Sequence, residues 1–209
     1  MKRFIAIAGN IGVGKSELTK RLGQFLNWKV FLEPVAQNPY LTDFYSDRPR
    51  WAFHSQMFFL SQRLADHHTL TQEAASVIQD RSLYENAEVF AKNLWLEKSM
   101  TNRDYQTYRD FYDLLVKLLP PPDLIIYLQA APEILQQRIK QRGRKFEQEI
   151  PLTYLTQLNQ LYDDWAKNFK PCPVLTINTN TLNLINNDQA FQQVTEKILK
   201  KLGDNPLPF

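Results

Sequence analysis

One cysteine, Cys172, occurs in the whole chain of 209 residues. That excludes an internal disulfide framework and a cysteine-based zinc site, and it suits a reducing compartment. No apolar stretch approaches the roughly 18 residues that a bilayer span requires. The start, Met1-Lys2-Arg3-Phe4-Ile5-Ala6-Ile7-Ala8-Gly9, holds an apolar run too brief for a signal-peptide core. A cytoplasmic protein without a membrane partner is therefore expected. Charge of one sign is also scarce: 25 Lys and Arg against 22 Asp and Glu leave a net charge of +3. A dedicated nucleic-acid binder carries a larger basic excess, so no nucleic-acid partner is expected. A local basic cluster could still hold a phosphorylated small molecule. Internal repeats and low-complexity segments are absent as well.

What is present points to a globular chain, with 44% apolar and 22% charged residues. A chain of this size buries roughly 70% of its unfolded surface and needs no metal or disulfide staple. Short apolar runs at Phe4–Ala8, Val30–Leu32, Val77–Gln79, Leu124–Leu128 and Val174–Ile177 read as strands. Helical spacing fills the gaps. Leu18, Leu22, Phe25 and Leu26 form one buried stripe. Further helices are predicted over Trp51–Leu70, Glu85–Lys98, Asp104–Leu119, Pro132–Gln141, Pro151–Phe169 and Asp188–Leu202, with Pro120-Pro121-Pro122 stopping the one that ends at Leu119. Trp51 and Phe58 are expected in the core. Strand–helix alternation implies an α/β fold: a five-stranded parallel sheet flanked by helices in three layers, one domain over 1–209. Ligands of such folds bind outside the carboxyl ends of the strands.

Gly9-Asn10-Ile11-Gly12-Val13-Gly14-Lys15-Ser16 matches G-x-x-x-x-G-K-[ST] at every fixed position, after a strand and before a helix. The glycines let the backbone wrap phosphates, and amide N–H groups at the helix start hold their charge. Lys15 can reach the β- and γ-phosphates, and the Ser16 hydroxyl can ligate Mg²⁺. ATP and Mg²⁺ are the expected cofactors. GTPases on this fold usually carry an Asn-Lys-x-Asp motif, which is missing.

The strand ends supply the rest. Strand two runs into Glu33-Pro34-Val35, where a carboxylate could take the proton of an attacking hydroxyl. Negative charge at Glu33 also favours a neutral acceptor over a monophosphate. Strand three ends in Asp80-Arg81-Ser82, with Asp80 placed to support Mg²⁺ and Arg81 to orient the hydroxyl. A surface ion pair is the plain alternative for Asp80 and Arg81, and an ordinary strand-end acid for Glu33.

These motifs, together with Arg142-Gly143-Arg144, resemble the deoxyribonucleoside kinase family in order and spacing from Arg3 to about Trp165. The runs Asn38-Pro39-Tyr40-Leu41 and Arg50-Trp51-Ala52-Phe53-His54 look most like its bacterial deoxyadenosine and deoxyguanosine branch. The resemblance implies a P-loop kinase with an arginine-rich lid over about 138–149, and ATP-dependent phosphorylation of a deoxyribonucleoside 5′-hydroxyl. It gives Gln56 to the base and Arg63 to the base's polar edge, both on one helical face. It gives Tyr45 and Glu147 to the sugar 3′-hydroxyl, and Phe90 to packing on the base, where a plain core residue of the helix is the other reading. Arg138, Arg142 and Arg144 match lid positions that neutralise charge on the transferred phosphoryl group. A basic patch for nucleic acid is the other reading of the lid, but it lacks interleaved aromatics.

Three departures stand out. Asn38 replaces a tryptophan of many animal members, Asn86 replaces an acid that would pair with Arg63, and Phe146 replaces a common acid of the lid. Preference for a purine is thus implied by branch similarity alone. The relatives also imply a homodimer. A nucleoside monophosphate kinase of the thymidylate type, or a catalytically silent nucleotide-binding subunit, remain as alternative readings.

Overall fold

A computed structural model describes residues 2–33, 37–144, 147–182, 184 and 187–203. Pro34, Val35 and Phe146, singled out above, lie outside the described residues. Five strands form the sheet: β1 (Phe4–Gly9), β2 (Lys29–Phe31), β3 (Val77–Asp80), β4 (Leu124–Gln129) and β5 (Val174–Asn178). Their spatial order is β2-β3-β1-β4-β5, and every neighbouring pair is parallel. This is the architecture predicted from the alternation of apolar runs and helical stretches. The inner strands are buried on both faces, so they read as unbroken apolar runs rather than alternating ones. The edges β2 and β5 are partly exposed.

The helices are α1 (Lys15–Leu26), α2 (Leu41–Ser46), α3 (Arg48–Gln72), α4 (Leu83–Glu85), α5 (Lys92–Leu96), α6 (Asn102–Leu118), α7 (Pro132–Arg142), α8 (Leu152–Asn168) and α9 (Asp188–Leu202). A π-helical stretch, Asn86–Ala91, joins α4 to α5. α1 and α9 lie side by side, tied by the Arg21–Asp188 ion pair and an edge-on contact of Phe25 with Phe191. α3 and α8 meet the sheet through His67 against Phe4 and Tyr162 stacked on Tyr127.

Several local expectations need correction. α2 was not legible: an Asn-Pro run reads as loop, yet the Asn38 side chain accepts from the Tyr40 amide at 3.0 Å and launches a short helix. Asp47 then caps α3, accepting from the Arg50 amide, so α3 begins at Arg48 rather than Trp51. The helix predicted over Glu85–Lys98 is one unbroken rod in the sequence pattern, but the π-helical stretch interrupts it and Lys98, at φ 63, follows its end. Phe25 is 38% exposed because its turn of α1 meets Phe191 rather than the sheet. Trp51 and Phe58 are half-buried, Trp51 stacked on Tyr40 and Phe58 edge-on to Phe59, so neither is a core centre.

Candidate active site

The loop after β1 follows the backbone its glycines permit. Gly9, Gly12 and Gly14 take φ of 144, 82 and 101, values that side-chain-bearing residues rarely adopt. Gly12 also has no room for a side chain: a Cβ there would lie 2.8 Å from Ile139 Cγ1 and 2.9 Å from the Leu135 carbonyl oxygen. The loop therefore rests directly on α7. Asn10 turns away from the cleft; its Nδ2 donates to the Leu155 carbonyl (2.9 Å) and to Asn159 Oδ1 (2.7 Å), anchoring the loop to α8. Val13 is buried in the core and offers the cleft its backbone. Ile11, Gly12, Lys15 and Ser16 line the cleft itself.

Lys15 Nζ donates to the carbonyls of Gly9 (2.9 Å) and Asn10 (3.1 Å). Burial, with the nearby Arg81 charge, pulls its ammonium down to about 8 against the opposing pull of Asp80, Glu85 and Glu33. The Ser16 hydroxyl donates to Asp80 Oδ2, while the buried Asp80 Oδ1 has no partner. An orphaned carboxylate oxygen beside a hydroxyl is a hard-oxygen donor set, and it fits Mg²⁺. Among the described residues no group of three or more His, Cys, Asp or Glu could hold a metal.

Two cavities open at the carboxyl ends of the strands, and they share Gly12, Lys15, Ser16, Arg142 and Arg144. The first contains Glu33, Tyr45, Gln56, Arg81, Asn86, Phe90 and Glu147. The second adds Gly14, Arg138 and the turn Thr179-Asn180-Thr181 after β5. Arg138 donates to the Thr179 carbonyl at 2.7 Å, so α7 and the β5 turn form one wall. The structure thus brings together every residue proposed for the acceptor except one.

That exception is Arg63. It does not line the cavity; its guanidinium, 1% exposed, lies 2.9 Å from Glu33 Oε1 and 3.5 Å from Asp66. Its position on the same helix face as Gln56 is as expected, and its guanidinium is turned to the carboxylates of Glu33 and Asp66. Arg81 takes the other oxygen, Nε donating to Glu33 Oε2 at 3.0 Å. Burial would raise the Glu33 carboxyl, but the two guanidiniums outweigh it and hold the group at about 2. The residue stays ionised across the neutral range.

The π-helical stretch aims both Asn86 and Phe90 into the cavity, a common use of such insertions at sites. Arg81 sits 4.4 Å above the Phe90 ring. Gln56 Oε1 and Asn86 Oδ1 are buried without partners, and both residues line the cavity. Asn38 donates to Ser55 Oγ at 3.0 Å, next to Gln56. At the far end Glu147 receives Arg142 and Arg144, the latter at 3.3 Å. Burial, then the Glu147 charge, pushes the Tyr45 phenol up to about 12.

Sequence reasoning missed several contributors. Leu41, Phe44, Ser55, Phe59 and Tyr154 all line the first cavity, and Glu85 and Tyr162 hold Arg81 from behind. Aromatic and polar side chains of this kind carry no motif; only the folded arrangement singles them out.

A phosphate loop, an acid and an arginine at neighbouring strand ends, and the arginines at the end of α7 and just beyond it define a P-loop phosphotransferase. The chain belongs to the deoxynucleoside kinase family, whose sequence model matches residues 5–203. It is 37% identical over 204 residues to deoxyadenosine/deoxycytidine kinase of Bacillus subtilis, covering 97% of this chain and 94% of that one. It is 33% identical to deoxyguanosine kinase of the same organism, covering 93% and 95%. Deoxyadenosine kinase from M. mycoides, solved with bound dATP, superposes with a TM-score of 0.83 at 30% identity, covering 94% of this chain and 98% of that one. The protein is an enzyme, a deoxynucleoside kinase.

Proposed function

We propose that the chain moves the γ-phosphoryl group of ATP to the 5′-hydroxyl of a purine deoxyribonucleoside. One observation carries this: the donor-side and acceptor-side cavities join at Lys15, Ser16, Arg142 and Arg144, and Glu33 lies on the acceptor side alone. Transfer makes a bond from the sugar oxygen to phosphorus, breaks the bond to the β-phosphate oxygen and releases a proton. Glu33 holds the hydroxyl and takes that proton; Arg81 orients both. Phosphoryl transfer asks mainly for positioning and charge stabilisation. Lys15, Arg138, Arg142 and Arg144 supply the positive charge, and the lid excludes water. Ser16 and Asp80 would hold Mg²⁺, which would neutralise phosphate charge.

Tyr45 and Glu147 take the 3′-hydroxyl in this reading. Phe90 packs on the base. Gln56 and Asn86 read the base edge, since a side-chain amide offers a donor and an acceptor side by side. The purine assignment is supported by relatives named for deoxyadenosine and deoxyguanosine. Comparing kcat/KM for the four deoxynucleosides tests it, and a pyrimidine preferred over both purines would sink it. Offering deoxynucleoside monophosphates in parallel tests the acceptor: diphosphate as the only product would point to a monophosphate kinase instead.

The same reading makes the chain one catalytic unit that acts as a homodimer in the cytoplasm. Phe111, Leu114 and Leu118 recur along α6 at 39%, 51% and 70% exposure, an apolar stripe suited to a second copy. Leu114→Glu should convert dimer to monomer in sedimentation velocity; a monomeric wild type would refute this. No helix among the described residues is long and apolar enough to cross a membrane.

A further inference from the structure

Glu85 has no role in the chemistry set out above, yet it is fully buried, 0% exposed, between the two halves of the cleft. A buried carboxylate is costly unless it is paired and hydrogen-bonded. Here its partners come from both halves. Oε2 accepts from the Gly9 amide at 3.2 Å and from the Tyr162 hydroxyl at 2.6 Å, and Arg81 Nη1 lies 3.4 Å away. Oε1 accepts from the Ser82 amide at 2.8 Å. Gly9, held by Glu85 through its amide, is held by Lys15 through its carbonyl.

Arg81 is fixed at both ends of its guanidinium. Nε donates to Glu33, and Nη1 donates to the Tyr162 hydroxyl at 2.9 Å. Its backbone has φ 67, a left-handed conformation that a non-glycine residue keeps only when its surroundings impose it. Glu85 and Tyr162 are the surroundings on the side away from Glu33.

We propose that Glu85, acting with the Tyr162 hydroxyl, is a positioning residue for phosphoryl transfer. A single carboxylate oxygen locks the acceptor-side cation and the first glycine of the donor loop into one register. The gap between the attacking hydroxyl and the transferred group is thereby set through Glu85, although it touches neither. This rests on the reading of Arg81 as the orienting cation. A purely structural carboxylate would contribute stability alone, whereas a positioning carboxylate controls kcat through Arg81.

The experiment is a double-mutant cycle on the full chain with ATP, Mg²⁺ and whichever deoxynucleoside is turned over best. Glu85→Gln should lower kcat between about 10- and 10²-fold, the cost of a misplacement near 1 Å. Both KM values should change far less than kcat. Combined with Arg81→Lys, it should slow the enzyme by no more than about twofold beyond the slower single variant, because both changes disturb one unit. Tyr162→Phe, which removes only the hydroxyl, should show a smaller loss with the same failure to multiply. If Glu85→Gln does not fold, Tyr162→Phe decides by the same criterion. Normal kcat in Glu85→Gln, or losses that multiply in the double variant, would overturn the inference. Should Arg81→Lys match the wild type, the role given to Arg81 falls and this inference falls with it; a slow Arg81→Lys with multiplying losses removes this inference alone.

Discussion

Glu33 and Arg63 stand 2.9 Å apart, Oε1 to Nη2, with the guanidinium closed off from solvent. The other oxygen of the same carboxylate faces Arg81 at 3.0 Å. The residue that meets the nucleoside hydroxyl in the proposed reaction is thus bracketed by two cations, one buried behind it and one in the cleft. Its ionised form is secured, and its geometry is fixed at both oxygens.

Replacing that carboxylate should separate chemistry from binding. Glu33→Gln is expected to lower kcat about 10²- to 10⁴-fold, the range for losing a general base. It should also lower the melting temperature, because Arg63 then keeps only Asp66, at 3.5 Å, as a counter-charge. Steady-state kinetics with calorimetry on the same preparation checks both; near-normal turnover would reject Glu33 as base.

Removing the cation behind should move the pH profile. Glu33 is held at about 2, below its ordinary 4.5, so it contributes stability above the ordinary value that is lost as pH falls through the lower one. In Arg63→Gln the carboxyl rises toward its ordinary range. The acid limb of kcat/KM should then appear at higher pH than in the wild type. Superimposable profiles would show that Arg63 does not tune Glu33.

The loop glycines should differ in what they tolerate. Gly12→Ala meets the Leu135 carbonyl and Ile139 in addition to its strained φ, whereas a Cβ at Gly14 meets nothing within 4 Å. Gly12→Ala should cost more stability and more ATP affinity than Gly14→Ala, for which backbone strain of about 1–2 kcal/mol is the main term. Chemical denaturation and ATP titration of the two variants test the ranking. Equal losses would mean that contact with α7 is unimportant.

His67 should give the fold an acid sensitivity of its own. It is buried against Phe4, and burial lowers its pKa despite a hydrogen bond to the Pro120 backbone. The unfolded chain therefore binds a proton that the folded chain resists, so this residue destabilises the fold as pH drops through the ordinary histidine range. The melting temperature of His67→Gln should fall less between neutral and mildly acidic pH than that of the wild type. Parallel curves would refute it.

What could be read from the sequence follows from the range of the interactions involved. The phosphate loop, Glu33, Asp80 and Arg81 were legible because a parallel sheet delivers strand ends to one edge whatever the remaining packing. Gln56 and Arg63 share a helix face by spacing, but the spacing could not show that Glu33, far away in the chain, would pair with Arg63. Glu85 was invisible for the same reason: its partners Gly9 and Tyr162 lie 76 and 77 positions away. Asn10 matched the loop pattern and turned out to be its anchor to α8. The π-helical stretch Asn86–Ala91 is too short to stand out in the apolar spacing, so the periodicity gives one unbroken helix over Glu85–Lys98.

Gly12 seats the phosphate cradle on the inner side of α7, with only hydrogen where any other residue would bring carbon. The phosphate loop and α7, with Arg138 and Arg142, are therefore in direct contact at one point. Of the two α7 residues that Gly12 meets, Ile139 does so through its side chain, so a larger residue at 139 would press on the loop as well as on the core.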